Sequence, residues 1–164
     1  MRRKQGTGLT ALVAGLSMAL LIVSSALAAE PTRDEFVARV EPICKANTEA
    51  NARIFKGAKA EVKAGKLKQA AGRFTRAVVA FDKTIKQVKA IPQPAEDKVK
   101  LGKWIGYLEG ESSLLGKVGK ALAKERKIEA QTYSVRLNNN SNRANNTVLD
   151  FGFDYCRIDP SRFS

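Results

Sequence analysis

The chain has 164 residues, with 29 lysines and arginines against 16 aspartates and glutamates and no histidine, so its formal net charge is +13. This length is enough for one domain with its own hydrophobic core. The lack of histidine excludes a Ser-His or Cys-His nucleophile and any metal site built on imidazole. Glu109, Glu111, Asp150 and Asp154 are carboxylates available for catalysis, but solvated helix charges explain them better. We therefore predict no enzyme, no catalytic residues, no metal and no cofactor.

The first 28 residues have the order of an export signal. Three cations at positions 2–4 precede an apolar stretch over residues 9–27, and an Ala-Leu-Ala sequence at 26–28 provides a cleavage site. We predict a signal peptide over residues 1–28 and a single secreted or envelope-held domain over 29–164. Retention of the first segment as a membrane anchor is the alternative, because its length approaches that of a spanning helix. Cleavage would remove three positive charges and leave a net charge of +10.

The predicted domain begins with a helix that starts at Thr32. Glu35 follows three residues later, which is the capping-box spacing. Apolar residues then recur at helical intervals until Gly65. Pro42 lies within this run, and we expect it to kink or divide the first helix.

Three further helices follow. Residues 67–88 carry an uninterrupted apolar stripe, residues 95–123 carry another with Trp104 in it, and residues 126–151 carry a weaker one. No run of β-branched residues alternates with the period of a strand. The sequence therefore predicts an all-α protein, an up-down-up-down four-helix bundle with a kinked first helix, stapled by one disulfide.

The disulfide is predicted between Cys44 and Cys156, the two cysteines of the chain. Export into an oxidising space favours their pairing over free or intermolecular thiols. In the predicted bundle the first is near the start of the first helix and the second just past the end of the fourth. An aromatic tail surrounds the second cysteine from about residue 152, and we expect it to cover this end of the core. An aromatic ligand site is the alternative for the tail.

Asparagines are frequent in the fourth helix, although asparagine is a poor helix former. If the first and fourth helices are antiparallel neighbours, their asparagines form a buried amide network that fixes the register of the two helices. A solvated or frayed helix face is the alternative. The candidate network comprises Asn47, Asn51, Asn142 and Asn145.

Positive charge concentrates in the two turns between the first and second and between the third and fourth helices. In the predicted topology both turns lie at the same end of the bundle, opposite the disulfide, and together hold eight of the ten net charges of residues 29–164. We name this set the basic pole: Lys56, Lys59, Lys63, Lys66, Lys68, Lys117, Lys120, Lys124, Arg126 and Lys127.

The favourable position of cations at helix C-termini explains part of this set but not the cations at helix N-termini. We therefore interpret the basic pole as a surface for anionic lipid, an acidic envelope polymer or a partner protein, against the alternative of a merely solvated end. Nucleic acid is disfavoured because no aromatic residue is interleaved for base stacking. Gly102, Gly106 and Gly110, spaced by four, favour close approach of a partner such as a second copy, and simple tolerance of weak helix formers is the alternative. We expect a monomer or weak homodimer.

Two segments, "EPICKANTEAN" and "FGFDYC…PSRFS", resemble parts of small secreted helical proteins of unknown function from actinobacterial-type genomes. The resemblance implies a helical domain with paired cysteines and implies no chemistry. Our leading hypothesis is a non-catalytic secreted or envelope-associated binding module with a cationic pole. The alternative is a carrier for a small hydrophobic ligand, with a cavity in the bundle core that opens under the aromatic tail.

Overall fold

The computed structural model describes residues 30–159, in which helices are joined by short turns and no strand occurs. The helices are α1 Arg33–Phe55, α2 Ala58–Lys63, α3 Leu67–Lys89, α4 Lys98–Ala123 and α5 Lys127–Thr147. Short 3₁₀ turns at Ala95–Asp97 and Leu149–Phe151 precede α4 and follow α5. The all-α prediction is confirmed for these residues. The predicted signal peptide and the last five residues of the tail lie outside them.

The first predicted helix forms, but it is divided at Gly57 and not at Pro42. The capping box is present, since Thr32 and Glu35 each accept a hydrogen bond from the other's backbone N–H. α1 then continues through Pro42 without interruption. The carbonyl that loses its helical partner there belongs to Ala38, which is exposed to solvent. The break comes instead before α2, where Gly57 has a φ of 87°, a left-handed conformation that favours glycine.

α3 and α4 form the centre of the core, and their predicted apolar stripes are buried. Trp104 and Leu101 are completely buried, and Phe74 and Phe81 lie on the facing side of α3. Gly119 allows α4 to approach α3 closely, because a Cβ at this position would lie only 2.9 Å from the Cβ of Phe74. Gly110 is similarly close to Asn140 of α5, whereas nothing lies within 4 Å of a Cβ built at Gly102 or Gly106.

The helices pack in the order α1, α3, α4, α5, and α2 packs against α3. Contacts between α3 and α4 join late residues of one helix to early residues of the other: Lys89 with Glu109, Asp82 with Ser112, and Phe74 with Gly119. Contacts between α4 and α5 have the same reversed order: Glu111 with Ser141, and Lys117 with Tyr133. α1 and α5, at the two ends of this order, make little direct contact. None of the helices in residues 30–159 combines the length and apolar composition needed to cross a bilayer.

Candidate functional site

Every member of the basic pole is exposed to solvent. Four of them occupy helix N-termini: Lys66 precedes α3 and Lys68 lies in its first turn, while Arg126 precedes α5 and Lys127 is its first residue. The helix dipole disfavours cations at these positions. The first turn of α3 contains no acidic residue to offset them, and Arg126 has one exposed ion pair with Glu129. Helix stability therefore does not explain these four cations.

A groove of about 580 Å³ runs between α2 and α5 at the basic pole, and we name it the α2–α5 groove. Its floor is apolar, formed by Phe74 of α3 with Val118 and Leu122 of α4. Val62 of α2 and Val135 of α5 line its walls and are both exposed. The groove thus joins, in one place, α2, the end of α4 and the beginning of α5.

Three lysines line the same groove. Lys59 and Lys63 lie one helical turn apart on α2, and Lys127 lies at the start of α5. The α5 wall adds neutral polar groups, and no carboxylate of residues 30–159 lines the groove. Its electrostatic potential is therefore positive above an apolar floor.

Arg73 of α3 holds the α2 wall in position. Its Nε donates a 2.7 Å hydrogen bond to Glu61 Oε2, and its second guanidinium nitrogen donates to Glu61 Oε1. Nη1 donates to the carbonyl of Ile54, one of the last carbonyls of α1 and therefore without a partner in the helix. Hydrogen bonding to Arg73 lowers the pKa of Glu61, which stays ionised. One guanidinium thus fixes both the end of α1 and the orientation of α2.

Midway along α1, Cys44 forms the predicted disulfide with Cys156, and their Cα atoms lie 5.0 Å apart. The tail that carries Cys156 lies between α1 and α5 and is bonded to both. The carboxylate of Glu41 in α1 accepts hydrogen bonds from the backbone N–H groups of Tyr155 and Cys156. Asn145 of α5 exchanges two hydrogen bonds of 2.8 Å with the backbone of Ile158.

The tail was expected to cover the core, and Phe153 of the tail does so near the starts of α1 and α4, together with the preceding Phe151. Phe153 is buried and stacks on Trp104, with ring centroids 5.4 Å apart, and Phe151 stacks on Phe153. Arg33 lies over the ring of Phe151 and donates two hydrogen bonds to Asp97, tying the start of α1 to the start of α4. Tyr155 remains 40% exposed, and Phe163 lies outside the described residues.

The asparagines of the candidate network are distributed differently from the prediction. Asn51 donates a 3.2 Å hydrogen bond to Asn47 within α1. Asn145 binds the tail instead of α1, and Asn142 is exposed. The tail separates the two helices here, so the structure joins Asn47 to Asn51 and does not join either to Asn145.

A second, smaller cavity of about 50 Å³ lies beneath the tail, and we name it the polar cavity. Asn51, Trp104 and Glu111 contribute to its lining. Asn51 Oδ1 and Trp104 Nε1 are buried and have no hydrogen-bond partner within residues 30–159. The volume is sufficient for about three water molecules, which these polar atoms could bind.

Glu111 is a correction to the sequence analysis, which assigned it to a solvated helix face. Its side chain is only 1% exposed. Burial raises the pKa of Glu111, while hydrogen bonds from Ser141 and Asn140 act in the opposite direction. The sequence contained a signal for this burial. Glu111 lies between Leu108 and Leu115 at helical spacing, so it occupies a position in the apolar stripe of α4.

The hydrogen bonds around Glu111 fit a neutral carboxyl. The Ser141 hydroxyl lies 2.6 Å from Glu111 Oε1 and 3.0 Å from the carbonyl of Leu137, but it has one hydrogen to donate. A protonated Glu111 can donate to Ser141, whose hydrogen then goes to Leu137. Asn140 donates its two hydrogens to Glu111 Oε2 and the carbonyl of Tyr107. The carboxyl of Glu111 thus joins α4 to α5 through Ser141 and Asn140.

No protein-family model, curated protein or solved structure matches this chain. Within residues 30–159, no group of three or more Cys, Asp and Glu side chains is arranged to hold a metal ion.

Proposed function

We propose that this protein is a non-catalytic, exported helical bundle that binds anionic components of the cell envelope through its basic pole. The observation that carries the proposal is the set of four exposed cations at the N-termini of α3 and α5, where the helix dipole disfavours them. A surface that attracts anionic headgroups or an acidic polymer gives these cations a role. The disulfide is compatible with the oxidising space outside the cytoplasm.

The proposal includes the up-down-up-down topology, because that order gathers both basic turns at one end. Its support comes from the reversed order of the contacts between α3 and α4 and between α4 and α5. The α2–α5 groove adds support, since its lining joins residues of α2, the end of α4 and the start of α5.

The test is binding of the exported, oxidised protein to vesicles, with its N-terminus first established by mass spectrometry. We expect binding to vesicles containing anionic phosphatidylglycerol, little binding to neutral phosphatidylcholine vesicles, and weakening as salt shortens the electrostatic range. Each cation near an anionic surface contributes about 1 kcal/mol, so removing three weakens binding by roughly 100-fold. The variant is Lys56→Gln/Lys66→Gln/Lys124→Gln.

A matched control removes the same charge far from the basic pole. Lys86, Lys98 and Lys103 are exposed and lie at the end of α3 and the start of α4. The variant Lys86→Gln/Lys98→Gln/Lys103→Gln should retain most of the affinity. Equal weakening in both variants would show that net charge alone drives binding, and salt-independent binding would contradict the electrostatic proposal.

The alternative function is a carrier with its hydrophobic-ligand cavity in the bundle core under the aromatic tail. The structure does not favour a cavity of that kind under the tail. The polar cavity under the tail has a volume of about 50 Å³, whereas sites for small ligands occupy about 300–1,000 Å³. The α2–α5 groove, at about 580 Å³, falls within that range but lies at the basic pole.

A further inference from the structure

We propose that the α2–α5 groove binds one acyl chain of a single-chain anionic amphiphile, with its headgroup held by lysines at the rim. This inference rests on the proposed function and names the ligand class of the same surface. A surface that only attracts anions needs no groove, whereas this inference requires a groove that fits one lipid chain.

The shape and surface of the groove indicate an apolar ligand segment. Phe55, Phe74, Val118 and Leu122 provide a continuous hydrophobic lining, and α2 and α5 stand on either side of it. The walls keep apolar side chains in contact with solvent, with Val62 38% and Val135 54% exposed. An acyl chain lying in the groove would remove this surface from water, and each buried methylene would add to binding.

The charges at the rim indicate the sign of the headgroup. Lys59 and Lys63 on one wall and Lys127 on the other are exposed, and their aliphatic stems can line the groove while their ammonium groups reach solvent. The part of the lining formed by residues 30–159 contains no carboxylate that would favour a cationic headgroup. A phosphate or carboxylate headgroup would complement these three cations.

The contacts that hold α2 in place indicate that this wall of the groove is already formed before a ligand binds. α2 has six residues and would not be stable alone, yet Gly57 sets its direction and the Arg73–Glu61 pair holds it against α3. The groove volume fits one small ligand, whereas a bilayer lipid carries two chains. We therefore assign the groove to a single chain taken up from the envelope.

The experiment is calorimetric titration of the exported, oxidised protein with lauroyl-lysophosphatidylglycerol below its micellar concentration. Lauroyl-lysophosphatidylcholine has the same chain and a zwitterionic headgroup, and glycerophosphoglycerol has the anionic headgroup without a chain. We expect one bound molecule of the anionic amphiphile, at least tenfold weaker binding of the zwitterionic one, and no binding of the headgroup alone.

Two pairs of substitutions separate the chain from the headgroup. Val135→Asp places a carboxylate at the groove wall and should weaken binding at least tenfold, whereas Val99→Asp, at a residue that is 89% exposed on α4 outside the groove, should not. Lys63→Gln/Lys127→Gln should abolish the headgroup preference, whereas Lys98→Gln/Lys103→Gln should preserve it. All six substituted positions are exposed, so folding should survive and is checked by circular dichroism.

Several outcomes would overturn the inference. Equal loss in Val135→Asp and Val99→Asp, or no binding by the wild type, removes the groove as a lipid site. A retained N-terminal segment whose removal is needed for binding would assign the groove to that segment. A dimer dissociated by Val135→Asp would assign it to a second copy.

Vesicle binding without amphiphile binding would overturn this inference but leave the proposed function intact. Amphiphile binding without vesicle binding would contradict the proposed function and leave this inference intact.

Discussion

The flank of α5 is covered differently at the two ends of this helix. Beside the C-terminal end of α5, the tail that carries Cys156 lies between α5 and α1, stacks Phe153 on Trp104 and bonds to Glu41 and Asn145. At the basic pole, no segment of residues 30–159 occupies the α2–α5 groove, and exposed lysines and valines line it. Covalent and aromatic contacts thus cover one end of α5, whereas among residues 30–159 the groove at the other end stays open; we propose that the first end serves stability and the second binding.

The largest effect should follow from removing the disulfide. The variant Cys44→Ala/Cys156→Ala loses a cross-link between residues 112 apart, which we expect to lower the free energy of unfolding by about 4–5 kcal/mol. Urea denaturation measures the loss, and reduction of the wild-type protein should reproduce it. Under conditions where the variant is folded, amphiphile affinity should be unchanged. A large loss of affinity in the folded variant would contradict the division between the two ends.

The aromatic cover should account for the next largest effect. Phe153→Ala removes a buried ring that stacks on Trp104, and we expect a loss of about 3 kcal/mol in the free energy of unfolding. Tyr155→Ala is the matched control, because Tyr155 is half-exposed and its loss should cost less than about 1 kcal/mol. Similar losses in the two variants would show that the tail is not packed as described.

Glu111 should give a smaller effect whose sign depends on pH. Its raised pKa means that the folded protein keeps a proton that the unfolded chain releases above about pH 4.3. The wild type should therefore lose stability as pH rises from that value through the native pKa, by at most about 1.4 kcal/mol per pH unit. Glu111→Gln retains a neutral donor and acceptor, so its stability curve should lack this decline.

The control for that experiment is Glu61, whose pKa is shifted in the opposite direction. Hydrogen bonding to Arg73 lowers the pKa of Glu61, so its contribution is present above the ordinary carboxyl pKa and disappears as pH falls through the native value. Glu61→Gln should therefore reduce the loss of stability in acid and leave the decline at higher pH. If Glu111→Gln instead behaved like Glu61→Gln, the buried carboxyl would be charged in the native protein.

The smallest effect on stability is expected at the groove rim. Lys63→Gln/Lys127→Gln changes two exposed side chains and should alter the free energy of unfolding by less than about 0.5 kcal/mol, even as the headgroup preference is lost. Thermal unfolding measures this directly. A destabilisation as large as that of Phe153→Ala would mean that these lysines serve the fold.

The apolar periodicity of α3 and α4 was sufficient to predict which faces of these helices are buried, because large apolar residues recur along each face at intervals of three or four positions. The break at Gly57 was missed because helical spacing continues across it, and only the φ of 87° reveals the turn. Glu111 was missed because carboxylates are usually solvated, and its partners Asn140 and Ser141 are about thirty residues away in sequence. The groove could not be predicted, since periodicity does not show that the tail separates α1 from α5 at one end only.

The difference between the two ends can be tested most directly by nuclear magnetic resonance of the isotope-labelled, oxidised protein during titration with lauroyl-lysophosphatidylglycerol. We predict that the amide shifts change at α2 and the first half of α5, around Val62, Lys127 and Val135, while the tail around Phe153 is unaffected. Changes centred on the tail, or no localised changes at a concentration where the amphiphile is bound, would contradict the assignment of binding to the α2–α5 groove.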